Sequence, residues 1–172
     1  SNAYRITSTL PVVAYQFNPL ENVNVFSNDA SLLIPTSGLG RDYIVMGWPQ
    51  TIAPDPRLLD WNRHLRAFLT IVGAEAGPIH VTVNLSTPTV GNAAQGIPAF
   101  LAGDVMTYTL GPYDVLNLET GEFNADFTGT TVNADGLVAI FSGSEASDVP
   151  YFAVLEERQC CADHLEEQIW PE

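Results

Sequence analysis

Short runs in which apolar and polar residues alternate are the dominant pattern along this chain. In "IHVTVN", Ile79, Val81 and Val83 are apolar and the intervening residues are polar. This period of two predicts a strand with one face in a core and His80 on the solvent face. Similar runs, broken by Gly, Pro, Asn and Asp, predict further strands. They are Val12–Phe17, Ser31–Ile34, Asp42–Trp48, Phe68–Val72, Val105–Leu110, Tyr113–Leu118, Thr128–Val132 and Leu137–Phe141.

Turn residues between these runs predict two hairpins. In "VMTYTLGPYDVLNLE" the turn lies at Gly111-Pro112, and in "TTVNADGLVAIF" it lies at Asn133–Gly136. Neighbouring hairpins favour antiparallel pairing. Because Leu137–Phe141 has no polar face, we expect this strand in the middle of the core.

Helix signals are scarce. The best candidate is "DPRLLDWNRHL", where Asp55 is a suitable cap and Pro56 fits the first helical position. About ten strands with little helix predict an all-β fold, an antiparallel two-sheet β-sandwich. Residues 1–3 resemble the remnant of a cleaved expression tag, so residues 4–172 are interpreted as a single domain.

The composition narrows the classes of partner. The formal net charge is -14, from 20 acidic residues and 6 basic residues that are all arginine. Such a surface repels phosphate backbones and anionic lipid headgroups, which argues against nucleic-acid and membrane-surface binding. Because no apolar run approaches the roughly 20 residues that span a bilayer, membrane insertion is not expected in this segment.

The stretch "QCCADHLEEQIWPE" holds the strongest candidates for chemistry. Cys160, Cys161, His164 and either Glu166 or Glu167 are possible zinc ligands, but zinc sites space paired cysteines two to four residues apart. A bond between adjacent cysteines is strained, because consecutive Cα atoms lie about 3.8 Å apart. The alternative is a hydrolase in which His164 activates Cys161, although so short a segment folds with difficulty into a nucleophile, a base and an orienting group.

Two further hypotheses give the acidic residues a role other than catalysis. Asp163 is able to cap a single helical turn, with Glu166 at the reciprocal position of a capping box. Calcium bound by loop carboxylates is conceivable on charge alone, around Asp126, Asn133 and Asp135, although this region does not match a calcium-loop pattern. No cofactor is therefore expected, with calcium as the exception to test.

Five segments together resemble the N-terminal domain family of IgG Fc-binding proteins, which has relatives in bacterial surface proteins. They are "LPVVAYQFNPL", "SNDASLLIPTSGLGRDYIVMGWP", "FLTIVGAEAGPIHVTVN", "FTGTTVNADGLVAIFSG" and "CCADHLEEQIWP". The family's opening motif matches Pro35, Thr36, Leu39, Gly40 and Tyr43. Its closing motif matches Cys161, His164, Glu167, Gln168 and Pro171, with one residue more than its shortest form.

The resemblance implies a non-catalytic extracellular or cell-surface module for recognition or adhesion. Its partner would be a protein or glycan, and repeated units are common, so a next unit is expected to begin near residue 168 beside neighbouring repeats or domains. Relatives often carry a cysteine soon after the "SG" at Ser142-Gly143, which this chain lacks, so the disulfide partners of Cys160 and Cys161 stay open. A structural spacer in a repeat array is the remaining alternative. The lack of lysine beside many Ala, Gly, Val and Arg suggests a bacterial source.

Overall fold

The computed structural model describes residues 3–18, 27–51, 64–149, 152, 154 and 162–172. Nine strands occur in these residues, together with two single turns of 3-10 helix at Thr36–Gly38 and Ala93–Gln95. The strands are β1 (Tyr15–Asn18), β2 (Asp29–Leu32), β3 (Gly40–Ile44), β4 (Ala67–Gly73), β5 (Ile79–Asn84), β6 (Val105–Leu110), β7 (Val115–Glu119), β8 (Thr131–Asp148) and β9 (Ala162–Ile169).

The 18-residue strand β8 organises the fold. Its first part pairs with β5 on one edge and β3 on the other, and its second part pairs with β4 and β9. Strand β6 extends the sheet beyond β5, and β7 extends it beyond β4. Two groups of four strands therefore share β8, and every pairing is antiparallel. Strands β1 and β2 form a separate hairpin, which we call the N-terminal hairpin.

The two groups of strands enclose one apolar core. In β5 burial alternates as the sequence predicts, with Ile79, Val81 and Val83 buried and His80 exposed. Val138 and Ile140 of β8 are fully buried, but the alternate residues of this run are only half-buried. The apolar run 137–141 therefore lies in the middle of the sheet, with one of its two faces in the core. The predicted all-β antiparallel fold is thereby confirmed.

The predicted hairpin at Asn133–Gly136 is wrong, because β8 continues through these residues. Asn133 donates to Asp42 and Asp135 accepts from His80, so both side chains make lateral contacts instead of turn contacts. A Cβ on Gly136 would lie 2.8 Å from Glu75 Oε2 and 2.9 Å from Ile79 Cγ1. Glycine is therefore needed here for a close approach within the strand, as is common where a strand bends.

The second predicted hairpin is only half right. The chain does turn after β6, where Asp114 N–H donates to the Gly111 carbonyl and Gly111 N–H donates to the Asp114 carboxylate. However, β6 pairs with β5 and β7 pairs with β4, so the turn carries the chain from one group of strands to the other.

Some sequence-based predictions fall outside the described residues. Most of the helix predicted from Asp55 lies there, as do Cys160 and Cys161. In the parts of the chain that the structure describes, no helix has the length and apolarity needed to cross a membrane.

Candidate functional site

Strand β9 carries His164, Glu167 and Gln168 of the closing motif, where the sequence predicted a helical turn. The prediction that Asp163 caps a helical turn, with Glu166 reaching back to it, is therefore wrong. Asp163 instead accepts a hydrogen bond from the hydroxyl of Ser27. The prediction failed because the side chains of His164, Glu166 and Gln168 alternate with period two but are polar, although they are buried. Patterns of apolar residues do not reveal a buried polar face.

Strand β9 has one edge that no strand covers in the described structure. Alternate residues of β9 direct their N–H groups away from β8, and side chains of the β2 region accept all three of these hydrogen bonds. An unpaired strand edge is a site for unwanted association, and side-chain acceptors close it. The pairs are His164 N–H to Ser27 Oγ at 2.7 Å, Glu166 N–H to Asp29 Oδ2 at 2.7 Å, and Gln168 N–H to Ser31 Oγ at 2.8 Å.

The carboxylate of Glu166 joins β9 to the other strand of the hairpin. Its Oε1 accepts from Gln16 Nε2 at 2.5 Å and its Oε2 accepts from Asn18 Nδ2 at 2.6 Å. Hydrogen bonds to a charged acceptor are stronger than those between neutral groups. Because Glu166 itself is only 5% exposed, these amides compensate for the loss of water around its charge.

His164 is buried beside this carboxylate. Its Nδ1–H donates to the carbonyl of Glu145 at 3.2 Å, and its Nε2 lies 3.7 Å from Glu166 Oε2. The ring stacks on Phe68, with centroids 6.4 Å apart. The Glu166 carboxylate raises the pKa of His164, burial opposes this, and the Glu145 carbonyl and the charge of Asp29 add to the increase. The folded chain therefore holds a proton on His164 more tightly than the unfolded chain does.

The remaining closing-motif residues contact the opening of the domain. Gln168 Oε1 accepts from the N–H of Ile34 at 2.6 Å, while Glu167 accepts from Ser31 Oγ at 3.2 Å. Gly40 lies so close to Pro171 that a Cβ on Gly40 would overlap the proline ring. Tyr43 is fully buried, and its hydroxyl donates to the Val138 carbonyl and accepts from Gly40 N–H. The opening and closing motifs thus meet in one packed region.

The N-terminal hairpin shows the opposite orientation to most surface hairpins. Its polar side chains, including Gln16 and Ser31, point towards β9, and its apolar side chains point outward. We call the outward side chains Tyr15, Phe17, Ala30 and Leu32 the hairpin outer face. Tyr15 is 58% exposed, Phe17 53% and Leu32 47%. Contiguous exposed apolar side chains of this kind commonly mark interaction sites.

Sequence reasoning missed this arrangement because it treats polar strand residues as solvent-facing. The segments "YQFN" and "DASL" do alternate between polar and apolar residues, but here the polar residues face the protein and the apolar residues face solvent. One signal was available in the sequence: "HLEEQ" has polar residues at alternate positions, as "YQFN" and "DASL" do, so the polar faces of the three segments match.

The hydrolase hypothesis gains no support from the geometry around His164. Cys161 lies outside the described residues, and none of the described residues hydrogen-bonds to His164 Nε2. That atom is buried, so a substrate has no access to it in this conformation.

The predicted calcium ligands Asp126 and Asp135 each bind other residues of the protein. Asp126 accepts from the N–H and hydroxyl of Thr128, and hydrogen bonds from His80 lower the pKa of Asp135. Over the described ranges, no three His, Cys, Asp or Glu side chains come together in a way that would hold a metal ion. Calcium binding thus stays a prediction.

Similarity to known proteins identifies the family. The model of the family described as IgGFc binding protein matches residues 29–172. A human IgGFc-binding protein is 28% identical over 143 residues, which cover 83% of this chain and 2% of the human protein. The chain therefore spans only a small part of that relative's length. No solved structure matches the chain significantly. Since the match covers most of its length, the chain belongs to the IgGFc binding protein family.

Proposed function

We propose that this chain is a non-catalytic recognition or adhesion module of an extracellular or cell-surface protein. The observation that carries the proposal is the orientation of the N-terminal hairpin, which buries polar groups on β9 and turns Tyr15, Phe17 and Leu32 to solvent. Aromatic side chains supply large contact area at protein interfaces and also stack on sugars. The hairpin outer face is the binding surface for a protein or glycan.

The role of the closing motif supports a binding function over catalysis. Hydrogen bonds of Asp163, His164, Glu167 and Gln168 hold the hairpin region, so these residues have a structural role. Membership in a family described by binding points in the same direction. The module acts beside neighbouring repeats or domains of its parent chain, and we retain the suggestion of a bacterial source from composition alone.

The human relative is named for binding to IgG Fc, which makes an Fc fragment a defined first probe. The hairpin outer face is uncharged, so we expect affinity to depend weakly on ionic strength, in contrast to ligands held by surface charge.

The test measures binding of the full chain to immobilised Fc fragment and to an array of cell-surface glycans. In a double variant, Tyr15→Ser with Phe17→Ser, we expect affinity to fall about tenfold or more, because two exposed aromatic contacts are lost. Leu101→Ser is the matched control, since Leu101 is 70% exposed outside the hairpin. Well-folded wild type that binds none of these probes would favour the structural-spacer alternative, and equal losses in both variants would contradict the assigned surface.

A further inference from the structure

A buried hydroxyl meets a buried side-chain amide where the segment after β3 contacts the end of β7. The hydroxyl of Thr120 donates to Gln50 Oε1 at 2.8 Å, although the two residues are 70 positions apart. Both residues are 0% exposed, so water does not reach either group. A hydroxyl held against a carbonyl group in a dry site is the starting arrangement for transfer of an acyl group to that hydroxyl.

Backbone hydrogen bonds fix the positions of both residues. Gln50 N–H donates to the Ala125 carbonyl at 2.9 Å, and Thr120 N–H donates to the Ala67 carbonyl at 3.0 Å. Ala67 N–H in turn donates to Thr120 Oγ1 at 3.0 Å, which orients the hydroxyl. Well-oriented groups within one molecule react as if each were present at about 10⁵ M or more. The fold therefore supplies most of what a slow attack on an amide requires.

The nitrogen of the same amide faces a histidine. Gln50 Nε2 lies 3.2 Å from His64 Nδ1, and His64, unlike Gln50, is exposed. Burial and the charge of Arg66 lower the pKa of His64, so its neutral form, which is able to accept a proton, predominates at neutral pH. The amide thus has a hydroxyl at its oxygen and a base at its nitrogen.

We propose that Thr120 and Gln50 join in an intramolecular ester, through attack of Thr120 Oγ1 on the side-chain carbonyl carbon Cδ of Gln50 and release of ammonia. The last torsion of a glutamine side chain is soft, so a rotation about it turns the carbonyl carbon towards the hydroxyl. As the bond from Oγ1 to Cδ forms, the hydroxyl proton passes to Oε1, to which the hydroxyl already donates. The carbon then carries two oxygens and the amide nitrogen.

His64 completes the proton transfer. Because Oε1 and Nε2 are bonded to the same carbon, His64 Nδ1 is able to take the proton from Oε1 and give it to Nε2. The bond between Cδ and Nε2 then breaks with its electron pair on nitrogen, the carbonyl double bond re-forms, and ammonia leaves past the exposed histidine. One hydroxyl and one amide thereby give one ester and one ammonia, His64 is restored, and no further reactant is required.

Burial protects the product as well as the reactants. Water cannot reach an ester at this position, and dilution of ammonia into solvent prevents the reverse reaction. The bond would join the segment after β3 to the end of β7, which belong to different groups of strands, and would resist separation of the two groups. The domain modifies itself once, and neither residue belongs to the hairpin outer face, so this inference does not depend on the proposed function.

The experiment measures the intact mass of the full chain after folding, purification and denaturation. We expect a mass lower than that of the sequence by one ammonia, and protease digestion should give one branched peptide that holds Gln50 and Thr120. Hydroxylamine, which cleaves esters and leaves ordinary amides, should separate its two arms. Thr120→Val, which removes the nucleophile, should have the full sequence mass, while Thr89→Val, at another buried threonine, should keep the loss. His64→Ala should slow formation of the bond about a hundredfold or more.

Three outcomes would overturn the proposal. They are a folded wild type at the full sequence mass, a loss of ammonia that digestion assigns to another residue, and a loss that persists in Thr120→Val. If Thr120→Val does not fold, the presence or absence of the branched peptide in the wild type still decides the question. A wild type without the ester that binds ligand through Tyr15 and Phe17 would reject the cross-link and leave the proposed function intact.

Discussion

The carboxylate of Asp29 on β2 accepts a hydrogen bond from the backbone N–H of Glu166 on β9, 137 residues further along the chain, at 2.7 Å. Glu166 in turn accepts from two amides of β1, so its backbone is held by one strand of the hairpin and its side chain by the other. The hairpin is therefore fixed to the domain by polar contacts, which leaves its apolar side chains for other uses.

Replacement of Glu166 by alanine should destabilise the domain substantially. The change removes the acceptor of Gln16 and Asn18 and leaves His164 buried without its charged neighbour. We expect the free energy of unfolding to fall by about 2–4 kcal/mol, measured by chemical denaturation.

The adjacent residue provides the control for this prediction. Glu167 is exposed, and with the described residues its side chain makes one hydrogen bond, of 3.2 Å, so Glu167→Ala should change the free energy of unfolding by only about 0.5 kcal/mol. Similar losses in the two variants would show that the Glu166 carboxylate does not have the role described.

Stability should depend on pH through His164. Its pKa is raised in the folded state from an ordinary value of 6.5, mainly by Glu166, so the folded chain binds this proton more tightly than the unfolded chain. The stabilisation is fully present below pH 6.5 and is lost as the pH rises through the folded-state pKa.

Substitution isolates this contribution. The difference in unfolding free energy between wild type and His164→Gln should be larger at pH 6 than at pH 8, two values that lie below and above the ordinary histidine pKa of 6.5. Leu101→Ser, at an exposed position without a titratable group, serves as the comparison. A difference for His164→Gln that grows with pH would contradict the raised pKa.

Contact between the opening and closing motifs should make Gly40 sensitive to the addition of one methyl group. A Cβ there would overlap Pro171, so Gly40→Ala must displace the segment after β9 and is expected to cost about 1–3 kcal/mol. A Cβ on Gly77 would meet nothing within 4 Å, so Gly77→Ala should be close to neutral. Thermal unfolding of both variants checks this, and a stable Gly40→Ala protein would mean that the two motifs are not packed together.

The sequence correctly predicted strands that have an apolar face towards the core and a polar face towards solvent. The bounds of β5 and β6 were predicted correctly, because their inward residues are apolar and their outward residues polar or exposed. Pairing partners were harder to predict: Gly111 does mark a turn, but turn chemistry does not determine which edges the two flanking strands join. In β8, glycine at 136 reflects a close approach by Glu75 and Ile79, which local pattern cannot distinguish from a turn.

The candidate site was located correctly in the chain but misread in structure. The polar residues of the closing motif suggested a capped turn or chemistry because buried polar faces are uncommon. Most of their acceptors and donors come from residues 16–34, more than 130 positions away, as the separation of 137 between Asp29 and Glu166 illustrates. No local signal encodes such a contact, although the matching alternation of the three short segments is consistent with it.

The central claim is that side chains of the β2 region hold the free edge of β9. Amide hydrogen exchange along β9 tests this claim most directly. In wild type we expect the N–H groups of His164, Glu166 and Gln168 to be protected, since each donates to a side chain of the hairpin region. In Asp29→Ala the Glu166 amide should exchange about tenfold or more faster, while the amide of Leu165, which faces β8, keeps its protection. Rapid exchange of all three edge amides in wild type, or no response at Glu166 to loss of the Asp29 carboxylate, would contradict the account.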